Sequence, residues 1–348
     1  MRRIALLLAL ATVSVVAAVA AAAPAGACGG LVGENGTIQL TRTSTLAAHH
    51  DGIERYVTSF EFTGTGEEVG SIVPLPAVPT KVERGGDWTL QRLAQEVAPP
   101  LPAPLREEAA ATSADKAEEL YSTKIDALDI TILRGGGDAV GAWALDHGFL
   151  LTPDAPRVLD FYSQRSKIFM AARFDATRAR DLGQTSGDGT PIMLTIPTDE
   201  PWVPLQILAL GLGKAQVVDA DVFLLTDERP RLLAGGPGLE LARSEPASND
   251  LLGDLRSDQG MQWVPEDMWF TYLRVDTPAQ NLDYDLAVST RDGVAPSARM
   301  AGIGVPGGPP ASAGPDRSRW VVTAIAGAAL GLVVLGLERA RRRSASSS

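Results

Sequence analysis

The sequence predicts an α+β fold: a β-rich exported domain with clustered helices, followed by one C-terminal transmembrane helix. Three observations carry this. Several segments alternate apolar and polar residues with the period of a half-buried strand, as in "ERYVTSFEF". A few segments have helical spacing instead, and they fall in groups rather than between successive strands. The 35 glycines and 24 prolines punctuate the chain into short elements, as expected where turns are frequent.

Taken in order, "GTIQLTRTSTLAAHHDGIERYVTSFEFTG" reads as β, with Tyr56, Thr58, Phe60 and Phe62 on one face. Asp51-Gly52 lies between two apolar runs and predicts a tight hairpin, because both residues tolerate positive φ. "VGSIVPLPAVPTKVER" continues extended, and its prolines place it at an edge or in a polyproline-like stretch. "GDWTLQRLAQEV" predicts a short helix with Asp87 as N-cap and Leu90, Leu93 and Val97 inward. Residues 98–119, rich in Pro, Ala and mixed charge, lack periodicity and read as a mobile insertion. "YSTKIDALDITILRG" reads as a strand. Two helices follow, marked by Val140, Trp143, Ala144 and Leu145 and then by Pro156 to Ser163, before a strand in "SKIFMAARFD". "GTPIMLTIPTDEPWVPLQILALG" reads as two strands around a proline corner, and "AQVVDADVFLLTD" as another strand. "SNDLLGDLRSD" is a helix capped by Ser248 or Asn249. "MWFTYLRVD" and "DYDLAVS" read as a terminal strand pair. "SIVPLPAVP" and "EPWVPLQIL" share an apolar run flanked by prolines, which hints at two related halves.

The ends point to export. Arg2 and Arg3 precede an uncharged run, and small residues including Ala25 and Ala27 then lead to Cys28, the pattern of a cleaved signal peptide over 1–27. Ala23 and Ala25 offer a second cleavage point. Trp320 to Leu337 is an uncharged run of 18 residues, long enough as a helix to span ~27 Å of hydrocarbon. Trp320 suits the headgroup boundary. Arg341 and its neighbours suit the cytoplasmic side, so residues 338–348 form a basic inner tail and the domain at 28–290 faces out. Gly327 and Gly331 form a small-residue pair on the helix, common in single anchors and compatible with helix pairing. Residues 291–319, rich in Gly, Pro, Ala and Ser, read as a flexible stalk. The expected location is therefore the cell membrane, with a single pass and the bilayer as one partner.

The 348 residues carry 31 Lys and Arg against 42 Asp and Glu. Eight of the basic residues but only one acidic residue lie in 1–27 and 317–348, so the part between carries −18. A domain that acidic is a poor nucleic-acid binder. The single cysteine cannot form an internal disulfide, so the core must hold by burial.

"ACGG" after the leader, "FEFTGTGEEVGSIVPLPAVP", "GAWALDHGFLLTPDAPRVLDFYSQRSKIFMAARFD" and "PIMLTIPTDEPWVPLQI" together resemble the bacterial domain-of-unknown-function family 2330, in order and spacing from about Cys28 to Asp285. The resemblance implies an exported or membrane-anchored bacterial protein and brings no reaction with it. Some relatives place a second cysteine soon after "CGG", where this chain has Leu31, Val32 and Gly33, so a family disulfide is not expected here.

Candidate chemistry is sparse. His49 and His50 are neighbours on a strand, so they point to opposite faces and cannot easily chelate one ion. His147 ends a helix, where imidazole suits the last carbonyls. Asp219 and Asp221 share one strand face, as do Asp283 and Asp285, and either pair offers oxygens for calcium or the carboxylates of a hydrolase. Neither pair has the glycine and distal glutamate of a calcium loop. No G-x-S-x-G is present, and "RGGGD" lacks the Lys-Ser/Thr of a phosphate loop, so a turn before a helix is the simpler account. No motif calls for a cofactor. Cys28 could be a lipidation site or an N-terminal nucleophile; the reading favoured is the first mature residue. The function expected is a non-enzymatic, outward-facing domain that binds an envelope partner or ligand, with an envelope hydrolase using the strand carboxylates, with or without calcium, as the alternative.

Overall fold

The structure is a computed structural model. It describes residues 30–33, 39–40, 43–59, 62–63, 68–97, 117–183 and 190–311. Its strands are β1 (Gly30–Gly33), β2 (Gln39–Leu40), β3 (Thr43–His50), β4 (Ile53–Thr58), β5 (Phe62–Thr63), β6 (Glu68–Leu75), β7 (Lys81–Arg84), β8 (Glu118–Ile125), β9 (Leu128–Arg134), β10 (Ile168–Asp175), β11 (Ile192–Pro197), β12 (Trp202–Val203), β13 (Val217–Thr226), β14 (Arg231–Ala234), β15 (Leu239–Pro246), β16 (Trp269–Pro278) and β17 (Leu286–Ser289). The α-helices are α1 (Thr89–Val97), α2 (Gly137–Asp146), α3 (Ala155–Ser163), α4 (Ala176–Asp181) and α5 (Asn249–Ser257). This is a β-rich α+β fold.

Two large sheets organise it. One has seven strands in the order β15-β16-β13-β3-β4-β11-β7, and the other five in the order β1-β6-β10-β9-β8. A three-stranded sheet, β12-β17-β14, and the pair β2-β5 complete it. β3 and β13 run parallel, while the neighbouring pairs β3–β4 and β13–β16 are antiparallel. The predicted turn at Asp51-Gly52 closes the β3–β4 hairpin with φ of 51° and 72°.

The central strands of the seven-stranded sheet are buried on both faces, and their sequence shows it. Along β13, Phe223 and Leu225 join a core that holds Leu90 and Leu93 of α1 and Leu251, Leu252 and Leu255 of α5. Val218, Ala220, Val222 and Leu224, on the opposite face, join the larger core. That larger core also takes in Ile168 to Ala172, buried one after another, as a strand covered on both faces requires. At ~25 cal/mol per Å2 of apolar surface removed from water, these two cores stabilise a chain whose single cysteine can form no internal disulfide.

Several expectations are corrected. "YSTKIDALDITILRG" is two strands, β8 and β9, joined at Asp126, whose φ is 48°. Glu118 and Glu119 already belong to β8; the rest of the expected insertion, through residue 116, lies outside the described residues. Asp87 does not cap α1, because it turns to Arg84. The cap comes from Asp258, beyond α5, whose Oδ2 accepts from Thr89 N at 2.8 Å and Thr89 Oγ1 at 2.6 Å. Gly86 permits this approach, since a Cβ there would sit 2.0 Å from the same carboxylate oxygen. The cap of α5 is as read: Ser248 Oγ accepts from Leu251 N.

The last two strands do not pair with each other. β16 lies between β13 and β15, and β17 between β12 and β14. β14 and β15 were not anticipated, being short or polar. The start of the expected stalk, residues 291–311, packs on the domain. Ala301 is fully buried, its carbonyl accepts from Asp285 N at 3.1 Å, and Met300 O accepts from Arg165. Among the described residues no helix is long and apolar enough to cross a membrane; the expected span at 320–337 lies outside them.

Candidate functional site

The five-stranded sheet has one face that the helices cover only in part. Register places Lys124, Asp129, Arg173 and Gly70 in one cross-strand row over β8, β9, β10 and β6. Ser122, Thr131, Ala171 and Ile72 form the adjacent row on the same face. Phe149, just after α2, lies over Gly70 so closely that a Cβ there would fall 2.3 Å from its ring. α2 and α3 pack together, and Gly137 allows it, since a Cβ there would meet the Asp160 backbone nitrogen at 2.6 Å. "RGGGD" is thus a turn and a close helix contact. What the helices leave open is a cleft of about 490 Å3, lined by Lys124, Asp129, Thr131, Trp143, His147 and Arg173 among others. That volume is in the range of small-molecule sites.

One wall is aromatic. The Trp143 and His147 rings stack with centroids 3.9 Å apart. His147 Nδ1 bonds the Trp143 carbonyl at 2.9 Å, the helix-end role expected of it. Trp143 Nε1 donates to Glu119 Oε1 at 2.9 Å, which also lies 3.4 Å from His147 Nε2. The floor is charged. Asp129 Oδ1 lies 3.0 Å from Lys124 Nζ and 2.9 Å from Arg178 Nη2, and Oδ2 lies 3.6 Å from Arg173 Nη2. Burial acts to raise the Asp129 carboxyl, but the hydrogen bonds and charges of Lys124 and Arg178 outweigh it and hold the group below its ordinary value.

The predicted carboxylates are elsewhere and do not converge. Asp219 and Asp221 lie on β13 as expected. Asp219 pairs with Arg274 at 3.6 Å, while Asp221 is fully buried and accepts from Tyr272 Oη at 2.7 Å. Asp283 and Asp285 precede β17 rather than lying on a strand, which corrects their shared strand face. Asp283 is half-buried, and desolvation raises its carboxyl. Asp285 is fully buried, with Oδ2 2.7 Å from Arg165 Nη1 and Oδ1 accepting from Tyr162 Oη, Leu205 N and Gln206 N. Arg165 in turn lies over the rings of Phe161, Tyr162 and Trp202 at 3.9 to 4.9 Å. These are structural roles. Among the described residues no group of three or more His, Cys, Asp or Glu could hold a metal ion.

His49 and His50 face opposite ways, as read: His49 is buried against Thr198 O and Thr290 Oγ1, and His50 pairs with Asp227. Ala25, Ala27, Cys28, Trp320, Gly327, Gly331 and Arg341 lie outside the described residues. Trp143 and His147 stand where the helix reading put them, while the polar residues of the cleft floor carry no motif. Their signal was period two: Ser122 and Lys124, Asp129 and Thr131 are polar at alternate positions of one hairpin.

The fold and cleft define a β-rich domain with a concave, aromatic-walled site. The chain belongs to the DUF2330 family, described as an uncharacterized protein conserved in bacteria, whose model matches residues 21–232. That stretch includes every cleft residue. No curated protein matches. Among solved structures the chain is similar to the crystal structure of baculovirus P35, at 10% identity and a TM-score of 0.41, covering 73% of this chain and 97% of that one. A likeness at that level supports no inference about activity.

Proposed function

We propose that this is a membrane-anchored binding protein of the bacterial envelope, whose folded domain faces outward and takes a small polar ligand in the cleft. The observation that carries the reading is the cleft itself: hydroxyls and charges on a rigid sheet face beside a stacked Trp143–His147 wall. The uncharged run at 320–337 and the arginines after it support the anchor and its orientation.

Thermal-shift screening of polar metabolites against the wild type and Thr131→Trp tests the binding role. The indole fills the cleft from the floor. A ligand that stabilises the wild type and not the variant is expected; ligands that stabilise both equally contradict a site here. Protease added to spheroplasts tests the topology, with digestion of the domain expected and its protection contrary to an outward-facing domain.

A further inference from the structure

We infer that the cleft recognises an oxyanion, carboxylate or phosphate, of a small organic molecule, with Arg173 as its principal ligand-binding residue. This rests on the binding role proposed above. Three arginines lie close together in sequence. Arg165 is fully buried and committed to Asp285, to the Met300 carbonyl and to three aromatic rings. Arg178 is committed to the Asp126 carbonyl at 2.7 Å, to Asp129 and to Asp175. Arg173 differs from both. Its side chain's one ion contact is the 3.6 Å approach to Asp129, and among the described residues that side chain makes no hydrogen bond. Yet its side chain is only about a quarter exposed (27%) and lines the cleft floor. A guanidinium presents five donors in a planar fork suited to two oxygens of one anion. This fork is about three-quarters buried, is held only by that long contact, and keeps donors turned to the cleft, where they are available to an anion.

The neighbours fit the same chemistry. Asp129 faces Lys124, Arg173 and Arg178, and Asp175 offsets Arg178, so the charged residues lining the floor, Lys124 and Arg173 against Asp129, keep one net positive charge within a domain of net −18. Asp129 holds Lys124 beside Arg173 rather than neutralising the set. Ser122 and Thr131 in the next row supply hydroxyls for the rest of the ligand, and the Trp143–His147 wall supplies a flat surface. An anion recognised this way binds less tightly as salt rises, because part of its attraction is screened.

The test uses the full chain and three probes, inorganic phosphate, citrate and glucose, with binding followed by calorimetry at low and high salt. Phosphate or citrate binding that weakens with salt is expected, and which of the two binds separates a phosphoryl from a carboxylate ligand. Arg173→Met should weaken it by about tenfold or more, as loss of charge-assisted hydrogen bonds does, and Arg173→Lys should restore part of it. Arg134→Met, on the same sheet but paired to Glu118 outside the cleft, should leave it unchanged. Unchanged melting of Arg173→Met excludes unfolding as the cause. Glucose binding that Thr131→Trp abolishes and Arg173→Met spares overturns the oxyanion while keeping the cleft as a site. Absence of binding by all three probes at millimolar concentration overturns the oxyanion inference, and the wider metabolite screen then decides the binding role separately.

Discussion

Two arginine–aspartate pairs, whose arginines lie only eight residues apart in the chain, face opposite fates. Arg165–Asp285 is sealed: both side chains have no exposure, three aromatic rings enclose the guanidinium, and Asp285 accepts from a phenol and two backbone amides. Arg173–Asp129 is open, with the ions 3.6 Å apart on the floor of a cleft. The sealed pair ties α3, the turn before β12's neighbouring 3-10 helix (Gln206–Ala209) and the segment around Met300 into one body. The open pair ties down little. One salt bridge is architecture and the other is available for recognition, and burial is what separates them.

The comparison breaks most visibly at Asp285. Asp285→Ala leaves Arg165 charged and buried, and should cost about 3–5 kcal/mol in urea unfolding. The double change Arg165→Met with Asp285→Leu should recover part of that loss, because two apolar side chains need no compensation. Recovery of nothing would mean that the backbone amides of Leu205 and Gln206, not the arginine, are what Asp285 serves. Gly70→Ala comes next. Its Cβ must displace the Phe149 ring, at a cost of about 1–3 kcal/mol, and the cleft wall should shift with it, lowering ligand affinity more than Arg134→Met does.

Glu54 sharpens the contrast, being a carboxyl in the core with no cationic partner among the described residues. It is fully buried, neither oxygen has a hydrogen bond of normal geometry, and desolvation raises it well above its ordinary value, opposed by the Trp202 backbone. The folded state therefore holds this proton at a pH where the unfolded chain has released it. Stability should fall as pH climbs above the ordinary glutamate range, and Glu54→Gln should flatten that fall, gaining on the wild type as pH rises. Parallel stability–pH curves for the two proteins would sink the assignment. The smallest effect is expected at the open pair: Arg173→Met should change stability by less than about 1 kcal/mol, while binding changes strongly. A large stability loss there would make Arg173 structural.

Much of the fold was legible because its signals are local. The Asp51-Gly52 hairpin, the Ser248 cap and the runs of Val218 to Leu225 and Ile168 to Phe174 follow from neighbours in the chain. The β8–β9 hairpin was not legible, since Asp126-Ala127 lacks the glycine that usually marks such a turn. The cap of α1 was misassigned for a different reason. Asp87 and Asp258 are equally good cap residues, and only the packing of α5 against α1 brings the distant one to Thr89. The cleft belongs to the same class of hidden feature, because its charged row joins four strands between Gly70 and Arg173.

The sequence by itself determined the class of fold, the family, the acidic charge and the alternation that marks which residues of each strand face outward. These depend on composition and on contacts within a few residues. Only the tertiary structure decided which aspartates are sealed, which arginine remains open, and that residues 291–311 close onto the domain. The physical reason is that Asp221, Asp285 and Asp129 are alike as residues, and differ in what distant strands and helices set around them: a phenol, an aromatic-wrapped guanidinium, or a cleft open to water.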